Sequence, residues 1–338
     1  MGGKTMGKAA AIILAAGQGS RMQSSKAKVL HKVAGLEMVN HAVRSVQLAS
    51  FQEIIVVVGY QGDKVAEALE GVTLAWQEEQ LGTGHAVDQC REILQDFDGP
   101  VLVTYGDTPL FRSATFQELV EYHNQNGSVA TILTALFDDP SGYGRILRSD
   151  DGHVLGVVEH KDASLEQREI REINTGTYCF DSKVLFHYLA QITPENAQAE
   201  YYLPDVLPLM LKDGHKIGGF VLGDPAESMG INDRIQLGMA EAILRDRICA
   251  HWQRVGVTIV DPKTTWIEWD CQIGQDTVIY PGCFIQKGTI IGEDCRIGPN
   301  CRLEQAQIGD GVTLEQVIIS GRVVTKGEKI APFSSMTK

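Results

Sequence analysis

The sequence contains no run of about 18–20 uninterrupted apolar residues, the length an α-helix needs to cross a bilayer, so no transmembrane helix is expected. It also lacks an excess of positive charge. Its 30 Lys and Arg stand against 43 Asp and Glu, a net charge of −13, which argues against a general nucleic-acid binder with a basic face. No Cys-x-x-Cys pair occurs, and the cysteine count of seven is odd. Reduced thiols in a cytoplasmic protein are the expectation. The first eight residues are polar and glycine-rich, and the apolar stretch over 9–16 is too short for a membrane span. It also lacks the small-residue cleavage site of a secretory leader. Acidity does not exclude a nucleotide substrate, because a few local cations and a metal can hold phosphates inside an acidic protein.

The 338 residues exceed what most single cores accommodate, which predicts two domains. Apolar runs over 10–16, 54–58, 72–76 and 101–105 predict strands, and amphipathic stretches over 38–49, 64–69 and 84–94 predict helices. Strand–helix alternation with fully apolar strands predicts an α/β domain over 9–255 with a mainly parallel sheet covered on both faces. Further strands are predicted over 128–136, 154–158, 175–180 and 216–221, and a long helix over 234–254. The pattern then changes. Ile273, Ile279, Ile285, Ile291, Ile297 and Leu303 recur every sixth position, with Gly274, Gly292 and Gly298 directly behind three of them. After a slip of one, Ile308 and Leu314 resume the count. A six-residue aliphatic period predicts a short left-handed parallel β-helix over 256–338, each hexad forming one flat side of a triangular coil. The tract supplies about three coils, and the segment over 323–338 is expected to cap the last one. Cys271, Cys283, Cys295 and Cys301 lie in it and read as small corner residues rather than metal ligands.

The segment with the most chemistry follows the first predicted strand: Leu14, Ala15, Ala16, Gly17, Gln18, Gly19, Ser20, Arg21, Met22. Ligands of open α/β sheets bind beyond the carboxyl ends of strands. Small residues there let backbone N–H groups approach phosphate oxygens, and Arg21 and Lys28 can neutralise a triphosphate. A dinucleotide-binding G-x-G-x-x-G is excluded, because Met22 takes the third glycine position. Gly3-Lys4-Thr5 is no Walker A loop, having no room for a leading glycine and no preceding strand.

Leu-Ala-Ala-Gly-x-Gly-Ser-Arg-Met followed by Lys28-Val29-Leu30 resembles the signature of the sugar-nucleotide pyrophosphorylases. The run from Gln77 to Ala86, Tyr105-Gly106-Asp107, Gly142–Arg145, Val158–Asp162, Glu172–Gly176, Ala199–Tyr202 and Gly230–Arg234 narrow the likeness. Together they resemble the uridylyltransferase half of the bacterial bifunctional N-acetylglucosamine-1-phosphate uridylyltransferase/glucosamine-1-phosphate acetyltransferase family. The resemblance implies a Rossmann-like nucleotidyltransferase domain followed by the β-helix. It implies transfer of a uridylyl group from UTP to a sugar 1-phosphate, N-acetylglucosamine 1-phosphate first among candidates, by Mg²⁺-dependent in-line displacement of pyrophosphate. Leu14, Ala15, Ala16, Gly17, Gly19, Gln77, Gly82 and Thr83 would then hold the nucleotide. Tyr105, Gly106, Gly144, Glu159, Asn174 and Asn232 would line the sugar side. Arg21, Lys28 and Asp107 would be catalytic, with Mg²⁺ on Asp107 and Asn232.

The chain departs from the family in two places. Ala27 stands where proline usually precedes the signature lysine, which leaves the reach of Lys28 open. The hexads stop near Ser320, and His251 is the last histidine, so no acetyltransferase activity is expected. A homotrimer through the β-helix is implied by the family and left open by the shortness of the tract. The alternatives are a transferase for another pair, such as glucose 1-phosphate with UTP or dTTP, and a non-catalytic regulatory subunit that binds nucleotide sugars.

Overall fold

The computed structural model describes residues 8–150, 152–196 and 198–337; the Gly3-Lys4-Thr5 fragment lies outside them. The chain divides into two compact units, one of residues up to His31 with Met38–Asp233, the other of Lys32–Glu37 with the residues from Arg234 onward.

In chain order the strands are β1 (Ala10–Ala15), β2 (Lys32–Val33), β3 (Leu36–Glu37), β4 (Glu53–Val58), β5 (Thr73–Trp76), β6 (Pro100–Tyr105), β7 (Ala130–Leu136), β8 (Arg145–Arg148), β9 (Val154–Val158), β10 (Glu172–Asp181) and β11 (Ile217–Val221). The α-helices are α1 (Met38–Leu48), α2 (Gly62–Glu67), α3 (Thr83–Asp88), α4 (Ser113–Asn126), α5 (Leu165–Arg168), α6 (Ser182–Leu189), α7 (Val206–Lys212) and α8 (Arg234–Arg254). The first unit is built on a nine-stranded sheet in the order β11-β7-β10-β6-β1-β4-β5, with β8 and β9 appended beside β10. Strands β6, β1, β4 and β5 are parallel. Every residue of β1 is buried, and alternate ones feed different cores. Ala10, Ile12 and Leu14 belong to one cluster, Ala11, Ile13 and Ala15 to the other. A strand apolar on both faces needs cover on both sides, which the α/β arrangement supplies.

Two details differ from the sequence expectation. The strand expected over 175–180 extends from Glu172 to Asp181 and runs antiparallel to both β6 and β7, so the sheet is mixed. Its register shifts between Asn174 and Tyr178, where Gly176 takes φ +82°. The helix expected over 84–94 is α3 only, Thr83–Asp88, followed by turns.

In the second unit, α8 packs against Thr258–Ile259, Pro262–Thr264 and Trp266–Ile267, so it clusters with the β-helix. Three parallel sheets of four, five and four short strands form the sides of the left-handed β-helix. The longest runs from Trp266–Ile267 through Phe284–Gln286, Arg302–Glu304 and Ile318–Ser320 to Ser335–Thr337. That side stacks five strands, and the other two stack four each, where about three coils were expected. The carboxyl-terminal segment is not a separate cap: Val323–Val324 and Ser335–Thr337 continue the coils as strands. The slip in the repeat is a corner tightened by one residue. Ile290 pairs with Gln307, a 17-residue step, where Gln272 to Ile290 is an 18-residue step, and Gln305 takes φ +48° there. Most hexads bury a second residue two positions before the aliphatic one, including Cys271, Thr277, Cys283, Thr289, Cys295 and Cys301; Arg322 before Val324 is exposed. All seven cysteines are free and buried. Burial pushes the thiols of Cys90 and Cys271 up to about 12, which keeps them protonated and unreactive.

Candidate active site

The site lies in the first unit, at the carboxyl ends of β1 and β6. After β1 the chain turns through Ala16 to Gly19, and the backbone N–H groups of Gly17, Gln18 and Gly19 donate to no described acceptor. They are the free donors that an anion can satisfy. Gly19 has φ +67°, a conformation that disfavours any side chain. Two single-turn 3₁₀ helices follow, Ser20–Met22 and Lys28–Leu30. Met22, Val29 and Leu30 are buried and anchor these turns, which leaves Arg21 and Lys28 on the open side. Ala27 takes φ −54°, close to the proline value, and its N–H donates to Gln61 Oε1 at 3.2 Å. The loop is thus tied by a bond that a proline could not make.

Four of the expected residues meet at one point. The Lys28 ammonium contacts Asp107 Oδ2, and it lies 3.3 Å from Asn232 Oδ1. Arg21 Nη2 donates to the same Asn232 oxygen at 2.9 Å. The backbone fixes this meeting: Ile231 N donates to Asp107 O and Gly106 N to Leu14 O, both at 2.9 Å. The first bond locks the 230–232 turn to the end of β6; the second locks the end of β6 to β1.

The second group lies at the end of β5. Gln77 is 3% exposed, and its Nε2 donates to Gly82 O at 3.0 Å. Gly82 has φ +113°, and a Cβ there would lie 2.5 Å from Tyr201 O. Thr83 Oγ1 accepts from Leu203 N at 2.9 Å. A Cβ on Gly59 would lie 2.9 Å from both Ala16 Cβ and Gln77 O, so this group adjoins the glycine turn. Leu14, Ala15 and Ala16 are buried, so they can serve a ligand through backbone atoms rather than side chains.

The third group surrounds β8, β9 and β10. A Cβ on Gly144 would lie 3.0 Å from Glu159 Oε1, and Gly144 O accepts from Asn174 N at 2.9 Å. Asn174 donates to Tyr178 Oη at 2.8 Å and accepts from Gly176 N at 3.0 Å, which holds its amide still. No described group donates to the Glu159 carboxylate. Burial raises its pKa, and the nearby charges of Asp162 and Asp205 raise it further. The Tyr105 phenol is pushed up by burial first and then by the charges of Asp107 and Glu159, so it sits within reach of both the first and third groups. Gly106 forms the turn that presents Asp107.

Reading the sequence alone assigned no role to two residues. His85 Nδ1 lies 3.0 Å from Gln77 Nε2, and Tyr201 accepts from Gly84 N at 2.7 Å. Both lie within runs that carry the resemblance, Gln77–Ala86 and Ala199–Tyr202, but the pattern names no partner for either, because their partners are brought to them by tertiary folding.

Comparison with known proteins matches residues 10–257 to the nucleotidyl transferase family and residues 270–305 to the bacterial transferase hexapeptide repeat. The chain is 47% identical over 325 residues to the "Bifunctional protein GlmU" of Shouchella clausii, covering 96% of this chain and 72% of that protein. It is 46% identical over 330 residues to the protein of the same name from Brevibacillus brevis, and 48% over 330 residues to that from Geobacillus thermodenitrificans. Each of these two alignments covers 97% of this chain and 72% of the relative.

Proposed function

The chain belongs to the nucleotidyl transferase family, and on that premise we propose that it is a sugar-1-phosphate uridylyltransferase. Its substrates are UTP and N-acetylglucosamine 1-phosphate; its products are UDP-N-acetylglucosamine and pyrophosphate. The observation that carries this reading is the meeting of Lys28, Arg21, Asp107 and Asn232 beside the free N–H groups of Gly17, Gln18 and Gly19.

The reaction needs little proton chemistry. The attacking oxygen belongs to a phosphate that is already anionic, so the protein has to position two polyanions and offset their charge. The N–H groups of the glycine turn and the Arg21 guanidinium hold the triphosphate. Lys28 releases Asp107 when phosphate arrives and turns its ammonium to the β- and γ-phosphates, where charge develops as pyrophosphate departs. Gln77 and the Gly82–Thr83 turn hold the base. Gly144 leaves room for a sugar against Glu159, whose unpaired carboxylate accepts from sugar hydroxyls. Asn174 borders the same space.

The residues fit a magnesium ion. Asp107 Oδ2 and Asn232 Oδ1 share one cation, the Lys28 ammonium, and Arg21 adds a second at the Asn232 oxygen. Among the described residues no group of three or more His, Cys, Asp or Glu is placed to hold a metal. One carboxylate and one amide oxygen suit Mg²⁺, which takes its remaining ligands from phosphates and water. When bound, the ion supplies charge neutralisation at the two phosphates.

Phe284, Ile290, Ile318 and Val323 project from the β-helix with 42–56% exposure, apolar surface that supports self-association as a homotrimer through this tract. The test of the catalytic reading is pyrophosphate release from UTP and Mg²⁺ with N-acetylglucosamine 1-phosphate, run beside glucose 1-phosphate and beside dTTP. Preference for glucose 1-phosphate would overturn the sugar assignment. Absence of release with every pair would overturn the enzyme reading.

A further inference from the structure

The Gln77 amide has two ends, one that donates and one that accepts, and which end faces a nucleobase decides which base is taken. Gln77 Nε2 lies 3.0 Å from Gly82 O. A carbonyl oxygen only accepts, so the NH₂ end is pinned there. That same nitrogen lies 3.0 Å from His85 Nδ1. Because the NH₂ group donates, Nδ1 must be the unprotonated nitrogen, which puts the imidazole proton on Nε2. His85 Nε2 lies 3.1 Å from the Gln89 amide nitrogen. Two donors cannot face each other, so one amide must reverse. Gln77 is enclosed and held by Gly82; Gln89 is partly exposed, and its amide's only other bond among the described residues is to His85 O at 3.2 Å. Gln89 therefore turns its oxygen toward the Nε2 proton. Gln77 Oε1 accepts from no described group and is not among the buried polar atoms that lack a partner. It is the end of the amide left for a ligand.

We propose that His85 is a specificity-determining positioning residue: by accepting from Gln77 it locks the glutamine oxygen toward the base. The site then takes a pyrimidine that donates from N3, as uracil and thymine do, and rejects cytosine, which accepts there. This inference rests on the uridylyltransferase reading and adds to it the device that enforces base choice.

The experiment measures kcat/KM for UTP relative to CTP at neutral pH, with sugar 1-phosphate and Mg²⁺ saturating. In His85→Leu the ratio should drop by about tenfold or more, the scale of one net hydrogen bond to a buried amide, with KM for the sugar 1-phosphate unchanged. His85→Asn keeps an acceptor near the Nδ1 position and should retain the ratio. A wild-type ratio in His85→Leu overturns the inference, as does a collapsed ratio in folded His85→Asn, which decides the matter if the leucine variant fails to fold. UTP turnover with such results sinks this inference alone, whereas no UTP turnover by the unmodified protein sinks the parent reading together with it.

Discussion

Lys28 lies directly against Gly19: a Cβ built on the glycine would run into the Cβ, Cγ and Cδ atoms of the lysine. The left-handed backbone of Gly19 and the seat of the Lys28 ammonium are therefore one feature. Gly19→Ala meets two costs, the positive φ and the displacement of Lys28. The variant is expected to keep its fold, because the loop is exposed, and to lose about 10–100-fold in kcat/KM, the effect of about an ångström of misplacement near reacting groups. Pyrophosphate release measured beside far-ultraviolet circular dichroism checks both halves of the prediction.

Asp107 and Lys28 are each less than one-fifth exposed and pair with one another. On the proposed reading, Asp107→Ala removes a carboxylate that would hold Mg²⁺ and leaves Lys28 without this partner. Turnover is expected to fall about 10²–10³-fold, the range for losing a group aimed at developing charge. Excess EDTA should stop release in the unmodified protein, and added Mg²⁺ should restore it. Near-normal kcat in Asp107→Ala with Mg²⁺ present would remove this carboxylate from the mechanism.

Glu159 gives a prediction in which stability and binding move in opposite directions. Burial raises its carboxyl pKa, with smaller contributions from Asp162 and Asp205. A carboxyl whose pKa rises on folding contributes stability below its unfolded pKa and loses it as pH rises through the folded value. The residue is exposed, but its carboxyl is partly desolvated, so at neutral pH the ionised form opposes folding. Glu159→Gln should raise Tm at pH 7, with an advantage that shrinks as pH falls toward 4, while KM for the sugar 1-phosphate rises several-fold, on the order of one charge-assisted hydrogen bond. Scanning calorimetry at several pH values, paired with initial rates, reads both effects; an unchanged KM would remove Glu159 from the sugar site.

Much of this could be read before any coordinates. The two-sided apolar composition of β1 required a covered sheet, and the Ile273-to-Leu303 spacing required a coil with that period. What escaped the reading was set by partners distant in sequence. The direction of β10 depends on its place between β6 and β7, and no pattern within Glu172–Asp181 states it. The strand at Ser335–Thr337 has only Met336 pointing to partial shelter, so its apolar signal was too weak to read. Arg21 and Lys28 were legible as charges beside a glycine turn, and Asp107 as an acid just past a strand end in a motif that carries the resemblance. The lock between His85 and Gln77 was not, because a histidine eight positions from a glutamine carries no local signal.

The β-helix corners supply a matched comparison. Thr277 and Thr289 occupy equivalent positions two residues before Ile279 and Ile291, and both are fully buried. Thr277 Oγ1 donates to Gly292 O at 2.8 Å and accepts from Cys295 N at 3.0 Å, so it joins two coils. Thr289 Oγ1 is buried with no hydrogen-bond partner. Valine has nearly the volume of threonine and no hydroxyl. Thr277→Val strands a partly buried carbonyl and a buried N–H, which costs about 1–3 kcal/mol. Thr289→Val removes an unsatisfied hydroxyl from an apolar corner and should be neutral or stabilising by up to about 1 kcal/mol. Urea denaturation followed by the fluorescence of Trp266 and Trp269, both in this unit, measures the difference. Equal effects of the two substitutions would mean that corner hydroxyls contribute through volume alone and that the bonds of Thr277 to the next coil add nothing.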